Sequence, residues 1–211
     1  MNLSQYSKEI NKDASLNPNA RLQLYSRLNI ILDNPNYSYS IVQGNAILDS
    51  YNLIAVQPTS EKLFQAACQN MDVDIIQLDM SQRLPFYFKR PSINSAISRG
   101  IMFEITYAHS IRDQNSRKNL ISNAAQLVRA TNGKNIIISS SALDILELRG
   151  SRDVINLCTL FSMTPESAKA ALTENARAAI VHGRSRQECY RGVFQAESVS
   201  DSPSWKRVRI Q

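Results

Sequence analysis

The sequence predicts an α/β fold, and three observations predict it. Short apolar runs of strand length recur along the chain, segments with helical spacing separate them, and 211 residues suffice for one sizeable core. Continuous apolar runs suit strands buried on both faces, as in a parallel sheet. Strand and helix in alternation predict right-handed βαβ units.

Residues 1–21 are polar, turn at Asn17-Pro18-Asn19, and are expected to form a flexible amino-terminal arm. The α/β domain is placed at residues 22–194. Its first strand is Leu22 to Leu32, stopped by Asp33-Asn34-Pro35. Leu53-Ile54-Ala55-Val56 is the second, closed by Pro58. Ser60 to Met71 reads as a helix, with Leu63, Ala67 and Met71 on one face and Phe64 and Cys68 beside them. Val73 to Leu78 and Ile101 to Tyr107 are the third and fourth strands. A long helix follows between Asp113 and Thr131. Leu120, Ile121, Ala124, Ala125 and Val128 form its apolar stripe, Arg117, Lys118, Ser122, Gln126 and Arg129 lie largely opposite, and Gly133 stops it. Asn135 to Ser139, with three consecutive isoleucines, is the clearest strand. Thr164-Pro165-Glu166 opens another helix: a cap, a proline at the first helical position and an acid at the positive helix end. Ala178 to His182 reads as a sixth strand ending at Gly183. Residues 195–211 lose the pattern and are expected to be a mobile basic tail containing Trp205-Lys206-Arg207-Val208-Arg209. Six strands are too few for a closed eight-stranded barrel, and barrel and doubly wound sheet fit this order equally well.

Composition narrows the function classes. Apolar residues make up 43% and charged residues 20%, ordinary globular usage. Lys plus Arg outnumber acids by 24 to 18, a formal charge of +6, which favours polyanion partners. No run of eighteen apolar residues exists, so no helix is expected in a membrane. The start, Met1-Asn2-Leu3-Ser4-Gln5-Tyr6, lacks a secretory pattern, and an intracellular protein is expected. Cys68, Cys158 and Cys189 are far apart and odd in number, which reads as packed thiols rather than a zinc site or disulfide framework.

Reactive machinery is sparse. The two histidines, His109 and His182, form no His-x-His or His-Glu-x-x-His motif, so no metal site is expected. His109, after the fourth strand, could line a barrel mouth or be a loop histidine. His182 reads as structural. Ser139-Ser140-Ser141 could bind phosphate at a strand end, but reads first as loop and cap chemistry. No Gly-x-Ser-x-Gly elbow occurs, and no Walker loop or dinucleotide fingerprint, so no cofactor is expected. The most unusual segment is Leu84-Pro85-Phe86-Tyr87-Phe88-Lys89-Arg90-Pro91. Aromatics beside cations can stack on RNA and contact phosphate, or anchor a loop. The mixed reading packs Phe86 and Phe88 and turns Lys89 and Arg90 outward. Further basic groups are Arg149 with Arg152, flanking Gly150, and Arg184, Arg186 and Arg191.

These residues resemble a known family. The resemblance covers roughly Arg27 to Arg186, and the Leu84–Pro91 block is its most specific part. It includes Arg27-Leu28, Ala55-Val56, Pro58, Glu61-Lys62, Asp72-Val73-Asp74, Ile93-Asn94, Arg99-Gly100 and Phe103-Glu104. Further along come Gly133-Lys134-Asn135, Ile137-Ile138-Ser139-Ser140, Leu148-Arg149-Gly150, Asp153-Val154, Arg177-Ala178, His182-Gly183 and Arg186. Together they resemble the thirty-kilodalton-type protein subunit of nuclear ribonuclease P and ribonuclease MRP, which has archaeal relatives. The resemblance implies a TIM-barrel-like fold without the metal-binding histidines of related phosphoesterase barrels. Family members begin with further elements before the point matching Leu22, so the barrel is expected to be incomplete at its amino-terminal end. A non-catalytic role is implied, in the nucleus and nucleolus, in precursor tRNA 5′ maturation and rRNA processing. The partners would be ribonuclease P RNA, MRP RNA and other protein subunits, the RNA carrying the catalysis. Lys89, Arg90, Arg99, Arg149, Arg152, Arg184 and Arg186 are the expected RNA-binding residues. The rival readings are a metal-dependent phosphoesterase on a related barrel and a protein-only docking module.

Overall fold

The computed structural model describes residues 23–34, 41, 45–190 and 193–194. The expected arm and tail, and Arg191, lie outside them. The elements in chain order are β1 (Arg27–Leu32), α1 (Ala46–Asp49), β2 (Leu53–Pro58), α2 (Glu61–Gln69), β3 (Ile75–Gln77), α3 (Arg90–Ser98) and β4 (Met102–Thr106). Next come α4 (Ala108–Arg112), α5 (Gln114–Thr131), β5 (Ile136–Ser139), a 3-10 turn (Ile145–Glu147), α6 (Ser151–Thr159), α7 (Pro165–Leu172) and α8 (Glu174–Glu188). A small antiparallel pair, β6 (Cys189–Tyr190) and β7 (Val193–Phe194), follows.

The cap read from the sequence at Thr164 is present, and the structure adds others. Ser60, Asp113 and Thr164 accept hydrogen bonds from the first-turn amides of Leu63, Ser116 and Ser167. At the end of α5 the left-handed position belongs to Asn132 (φ 54°), with Gly133 (φ 73°) next, and the Gly133 N–H donates to the Val128 carbonyl.

Strands β1 to β5 pair in sequence order and every pairing is parallel. A doubly wound sheet reverses its winding at a switch point. This sheet never does, so the fold is TIM-barrel-like. Side chains alternate accordingly. Ile54, Val56, Ile76, Phe103, Ile105, Ile136 and Ile138 point outward into one core shared with Phe64, Ile93, Leu120, Ala124 and Ala168 of the helices. Ala55, Ile75, Met102 and Ile137 point inward and pack with Ala179 of α8.

One ion pair on the inner face requires strong curvature. Arg27 of β1 donates through Nη1 to Glu104 Oε1 of β4 at 2.6 Å and through Nη2 to Oε2. Strands β1 and β4 are three positions apart, about 14 Å in a flat sheet. Side chains standing perpendicular to a flat sheet do not meet over that span. They converge only where the sheet curls like a barrel wall.

The expected sixth strand is wrong. Ala178 to His182 lies inside α8. The segment Ala176, Arg177, Ala178, Ala179 favours helix. Its buried positions, Ala179 and Gly183, are four apart, which is helical rather than strand spacing. Strand β1 also begins at Arg27, later than expected, and α3, α4 and α6 go beyond the elements that the sequence predicts.

Helix α8 crosses the amino-terminal ends of the strands and closes the barrel floor. Asn175 Nδ2 donates to the Ile136 carbonyl at the base of β5. Further along, Arg186 Nη2 donates to the Tyr51 carbonyl just before β2. Between them Gly183 rests directly on the chain entering β2: a Cβ there would stand 2.3 Å from the Asn52 carbonyl oxygen. Gly183→Ala should therefore destabilise the protein by about 2 kcal/mol or more through overpacking against backbone. Gly150→Ala, whose Cβ would meet only Asp153 Oδ2 at 3.4 Å, should cost no more than about 1 kcal/mol, the loss of a better N-cap residue. Urea denaturation of the two variants beside the parent checks this, and equal midpoints would contradict the close approach.

Candidate nucleic-acid interface

The fold divides the seven expected RNA-binding residues between opposite ends of the barrel. Lys89, Arg90, Arg149 and Arg152 sit at the carboxyl ends of the strands, in the segments that follow β3 and β5. Arg99, Arg184 and Arg186 sit at the floor.

The floor arginines are largely occupied inside the protein. Arg186, with its side chain 6% exposed, donates to Asp74, Asp49 and the Tyr51 carbonyl. Arg99 donates through Nη1 to the Cys68 carbonyl at 3.1 Å, and through Nη2 to the Met71 carbonyl and to Asp72. Both therefore staple chain segments together. Arg184 is exposed, its guanidinium 6.0 Å from the centre of the Tyr25 ring. His182 belongs to the same floor: Nδ1 lies 2.7 Å from Asp74 Oδ1 and Nε2 lies 3.1 Å from the Arg99 carbonyl. Its structural reading fits this placement, although it sits in a helix and not at a strand end.

The carboxyl end carries more free cation. Arg90 and Arg152 are exposed and form no ion pair among the described residues. Lys89 pairs at 2.7 Å with Glu61 of α2 on an exposed surface, a contact worth little in water. Arg149 is exposed and donates to the carbonyls of Leu146 and Leu148, while its amide donates to the Tyr107 hydroxyl. The N-cap position of α3, Lys89, supplies no side-chain cap and its first turn holds no acid, so this helix dipole adds positive potential here, whereas Asp153 offsets that of α6. Arg83, Arg117 and Lys118 extend the basic character at the same end, while Arg112 there is taken up by Glu147. The sequence reading did not group them with the RNA-binding residues because they come from two separate connections, those after β3 and β4.

The aromatic block divides as expected. Phe86 is buried and stacks on Phe64 at 5.2 Å between centroids, and Phe88 meets Phe86 edge-on at 6.2 Å. Tyr87 between them is 76% exposed.

The barrel mouth itself is polar. Glu104, with its side chain 2% exposed, takes Arg27 and also accepts from Ser139 Oγ at 2.7 Å, while Arg27 Nη2 donates to Gln77 at 3.2 Å. The serine run is thus used internally: Ser139 serves Glu104, and Ser140 accepts from the Ala142 amide at 3.4 Å. His109 lies half-buried in α4. Among the described residues no group of three His, Cys, Asp or Glu side chains could hold a metal ion. Cys68 and Cys158 are buried thiols pushed up by desolvation, to about 12 and about 11, and are inert as nucleophiles at neutral pH.

A different surface lies on the loop after β5. Leu143, Ile145, Leu146 and Leu148 are all exposed, the first 86%. The loop is nevertheless braced. Arg112 donates to both oxygens of Glu147, the Leu143 amide donates to Glu147 Oε2 at 2.9 Å, and Asp144 caps the Leu146 amide. A fixed loop offering four large aliphatic side chains suits contact with another protein.

Residues 2–188 match the family model described as RNase P subunit p30. The chain is 41% identical over 169 residues to the mouse ribonuclease P protein subunit p30, covering 80% of this chain and 63% of that protein. It is 35% identical over 179 residues to the probable ribonuclease P protein subunit 3 of Schizosaccharomyces pombe, covering 85% and 75%. With the ribonuclease P/MRP protein subunit RPP1 of Saccharomyces cerevisiae the identity is 29% over 170 residues, covering 81% and 57%. The chain thus spans between about half and three quarters of the length of these relatives. Among solved structures, a chain of archaeal ribonuclease P with mature tRNA superposes with a TM-score of 0.72 at 17% identity, covering 97% of this chain and 86% of that one. At that identity the likeness establishes the fold.

The braced loop carries a pH signature. The hydrogen bond from Arg112, then that from the Leu143 amide, hold the Glu147 carboxyl down from 4.5 to about 2. Because the folded value lies below the unfolded one, this contribution to loop order is present above pH 4.5 and is lost as pH falls through about 2. In an NMR acid titration the Leu143 amide should keep its hydrogen-bonded shift at about pH 3.5, between those two values, and Arg112→Gln should move its midpoint up by roughly one pH unit or more. An unmoved midpoint would show that the brace is not the cause.

Proposed function

The chain belongs to the RNase P subunit p30 family, and from that premise we propose that it is a non-catalytic, RNA-binding protein subunit of ribonuclease P and ribonuclease MRP. It supports 5′ maturation of precursor tRNA and rRNA processing in the nucleus and nucleolus. The RNA carries the catalytic chemistry, and the protein binds and braces it beside other protein subunits. The observation that carries this reading is the gathering of exposed cations at the carboxyl end of the barrel, around Lys89, Arg90, Arg149 and Arg152, beside an exposed aromatic ring. Phosphate neutralisation needs solvent-facing cations from several segments, and that end supplies them. The apolar loop Leu143–Leu148 supports the protein-partner half of the reading, because aliphatic side chains offer RNA neither charge nor a stacking face.

Within this proposal the expected site residues take two roles. Lys89, Arg90, Arg149, Arg152 and Arg184 contact phosphate. Arg99 and Arg186 hold the floor of the barrel and act on RNA only through the fold. The phosphoesterase alternative would need a metal cage built from residues other than those grouped in the described structure. Robust phosphoester hydrolysis by the pure chain with manganese, abolished by His109→Ala, would favour it.

Filter binding to ribonuclease P RNA tests the main reading. Affinity should fall steeply with salt. Replacing Lys89, Arg90, Arg149 and Arg152 by Gln should lower the slope of log K against log salt by about 0.7–0.9 for each phosphate no longer neutralised. Arg186→Gln should instead reduce thermal stability and leave that slope unchanged for the folded fraction. RNA affinity unaffected by all four surface substitutions would overturn the assignment.

A further inference from the structure

Between the loop that follows β3 and the exposed side of α5 runs a groove of about 570 Å³, within the usual range for small-ligand sites. The side chains that matter in it are Arg83, Tyr87, Asn119, Ser122, Asn123 and Gln126. The groove is rigid for a stated reason. Asn119 Nδ2 donates to the Ser81 carbonyl at 3.0 Å, and Asn123 Nδ2 donates to the Gln82 carbonyl at 2.8 Å. The loop is thereby pinned to the helix by two side-chain amides, whose carbonyl oxygens remain as acceptors. Phe86 and Phe88 anchor the next stretch in the core, one on each side of Tyr87. The Tyr87 ring is held out in water between two packed neighbours, and an isolated exposed ring gains nothing from folding.

The groove is also chemically selective. No carboxylate lines it. It offers the exposed aromatic face of Tyr87, one exposed guanidinium, the hydroxyls of Tyr87 and Ser122, and several amide groups. Ser122 and Gln126, four residues apart, present their groups on the same exposed helix face, and Lys118 extends the positive charge along that helix. A planar, hydrogen-bonding, negatively tethered ligand matches each of these features. An aliphatic peptide side chain matches none of them.

We propose that this groove holds one unstacked nucleotide of a single-stranded RNA segment. The base lies on Tyr87, its edge meets Ser122, Gln126 and the Asn119 carbonyl, and its phosphate meets Arg83. The proposal rests on the RNA-subunit reading and adds a place where the protein takes hold of a base rather than only of phosphates. Stacking tolerates any base, so the site selects single strand over duplex more than it selects sequence.

The test is a fluorescence anisotropy titration of the full chain with a labelled twelve-nucleotide single-stranded RNA, with a duplex RNA of equal length, and with unlabelled AMP and UMP as competitors. Tyr87→Ala should weaken single-strand binding about tenfold or more, within the range that base–aromatic stacking spans. Tyr87→Phe should stay within about twofold of the parent, because it keeps the stacking face. Duplex binding should be the same in all three proteins. Ser122→Trp, which fills the groove without touching the loop anchors, should reproduce the loss. AMP and UMP should compete only at millimolar concentration. Displacement by micromolar mononucleotide would make the groove a free-nucleotide pocket and overturn the proposal. Unchanged single-strand affinity in Tyr87→Ala and Ser122→Trp, with weakening in the Arg149→Gln, Arg152→Gln double variant, would overturn the groove and leave the subunit reading standing. No RNA binding by the parent chain would remove both.

Discussion

A fully buried carboxylate organises the floor of this protein. Asp74 has no exposed surface, and its oxygens accept from the Ile54 amide at 2.8 Å and from Arg186 Nε at 3.3 Å, with His182 Nδ1 at 2.7 Å. A carboxylate is tolerated in such a place only when it is surrounded by donors. Two of those partners come from α8, so satisfying Asp74 requires α8 to lie across the strand ends. Arg186 then reaches on to Asp49 and Tyr51, and the His182 ring reaches the Arg99 carbonyl. One buried charge thus ties together β2, the start of β3, the turn before β4 and the last long helix.

That constraint has a functional consequence. Cations drawn inward to neutralise Asp74 and to hold neighbouring carbonyls are cations withdrawn from solvent. Arg99 and Arg186 are thereby occupied at the floor, while the connections after β3, β4 and β5 converge at the opposite end. The Arg27–Glu104 pair works in the same direction on the inner wall. It joins strands three positions apart, enforces curvature and neutralises the mouth. The rim turns outward Arg83, Arg90, Lys118 and Arg152, the half-engaged Lys89 and Arg149, and Tyr87. Rigid barrel walls with functional side chains on the carboxyl-end connections are the usual division of labour in this architecture.

The rim presents two kinds of surface side by side. The stretch around Tyr87 and Arg83 is polar and aromatic, and the loop after β5 is aliphatic. Both are braced from below, the first by Asn119 and Asn123, the second by Arg112 and Glu147. Pre-organised surfaces lose less entropy on binding, which suits the role proposed above, contact with RNA and with other polypeptides.

The five parallel strands were legible because continuous runs such as Ile136–Ile138 have nowhere to go but a doubly covered sheet. The cap at Thr164 was legible because it is local chemistry. The mixed reading of the aromatic block was legible too, since a ring's preference for the core is a property of the residue. Ala178–His182 was misread because four or five small apolar residues carry no reliable period. The destinations of the arginines were not legible at all. Arg99, Arg149, Arg152 and Arg186 look alike in sequence, and only the arrangement of Asp74, Asp72 and the strand-end carbonyls decides which are bound inside and which face water. Local pattern and propensity determined the elements. Long-range electrostatics, fixed when α8 closes over Asp74, determined where the positive charge is displayed.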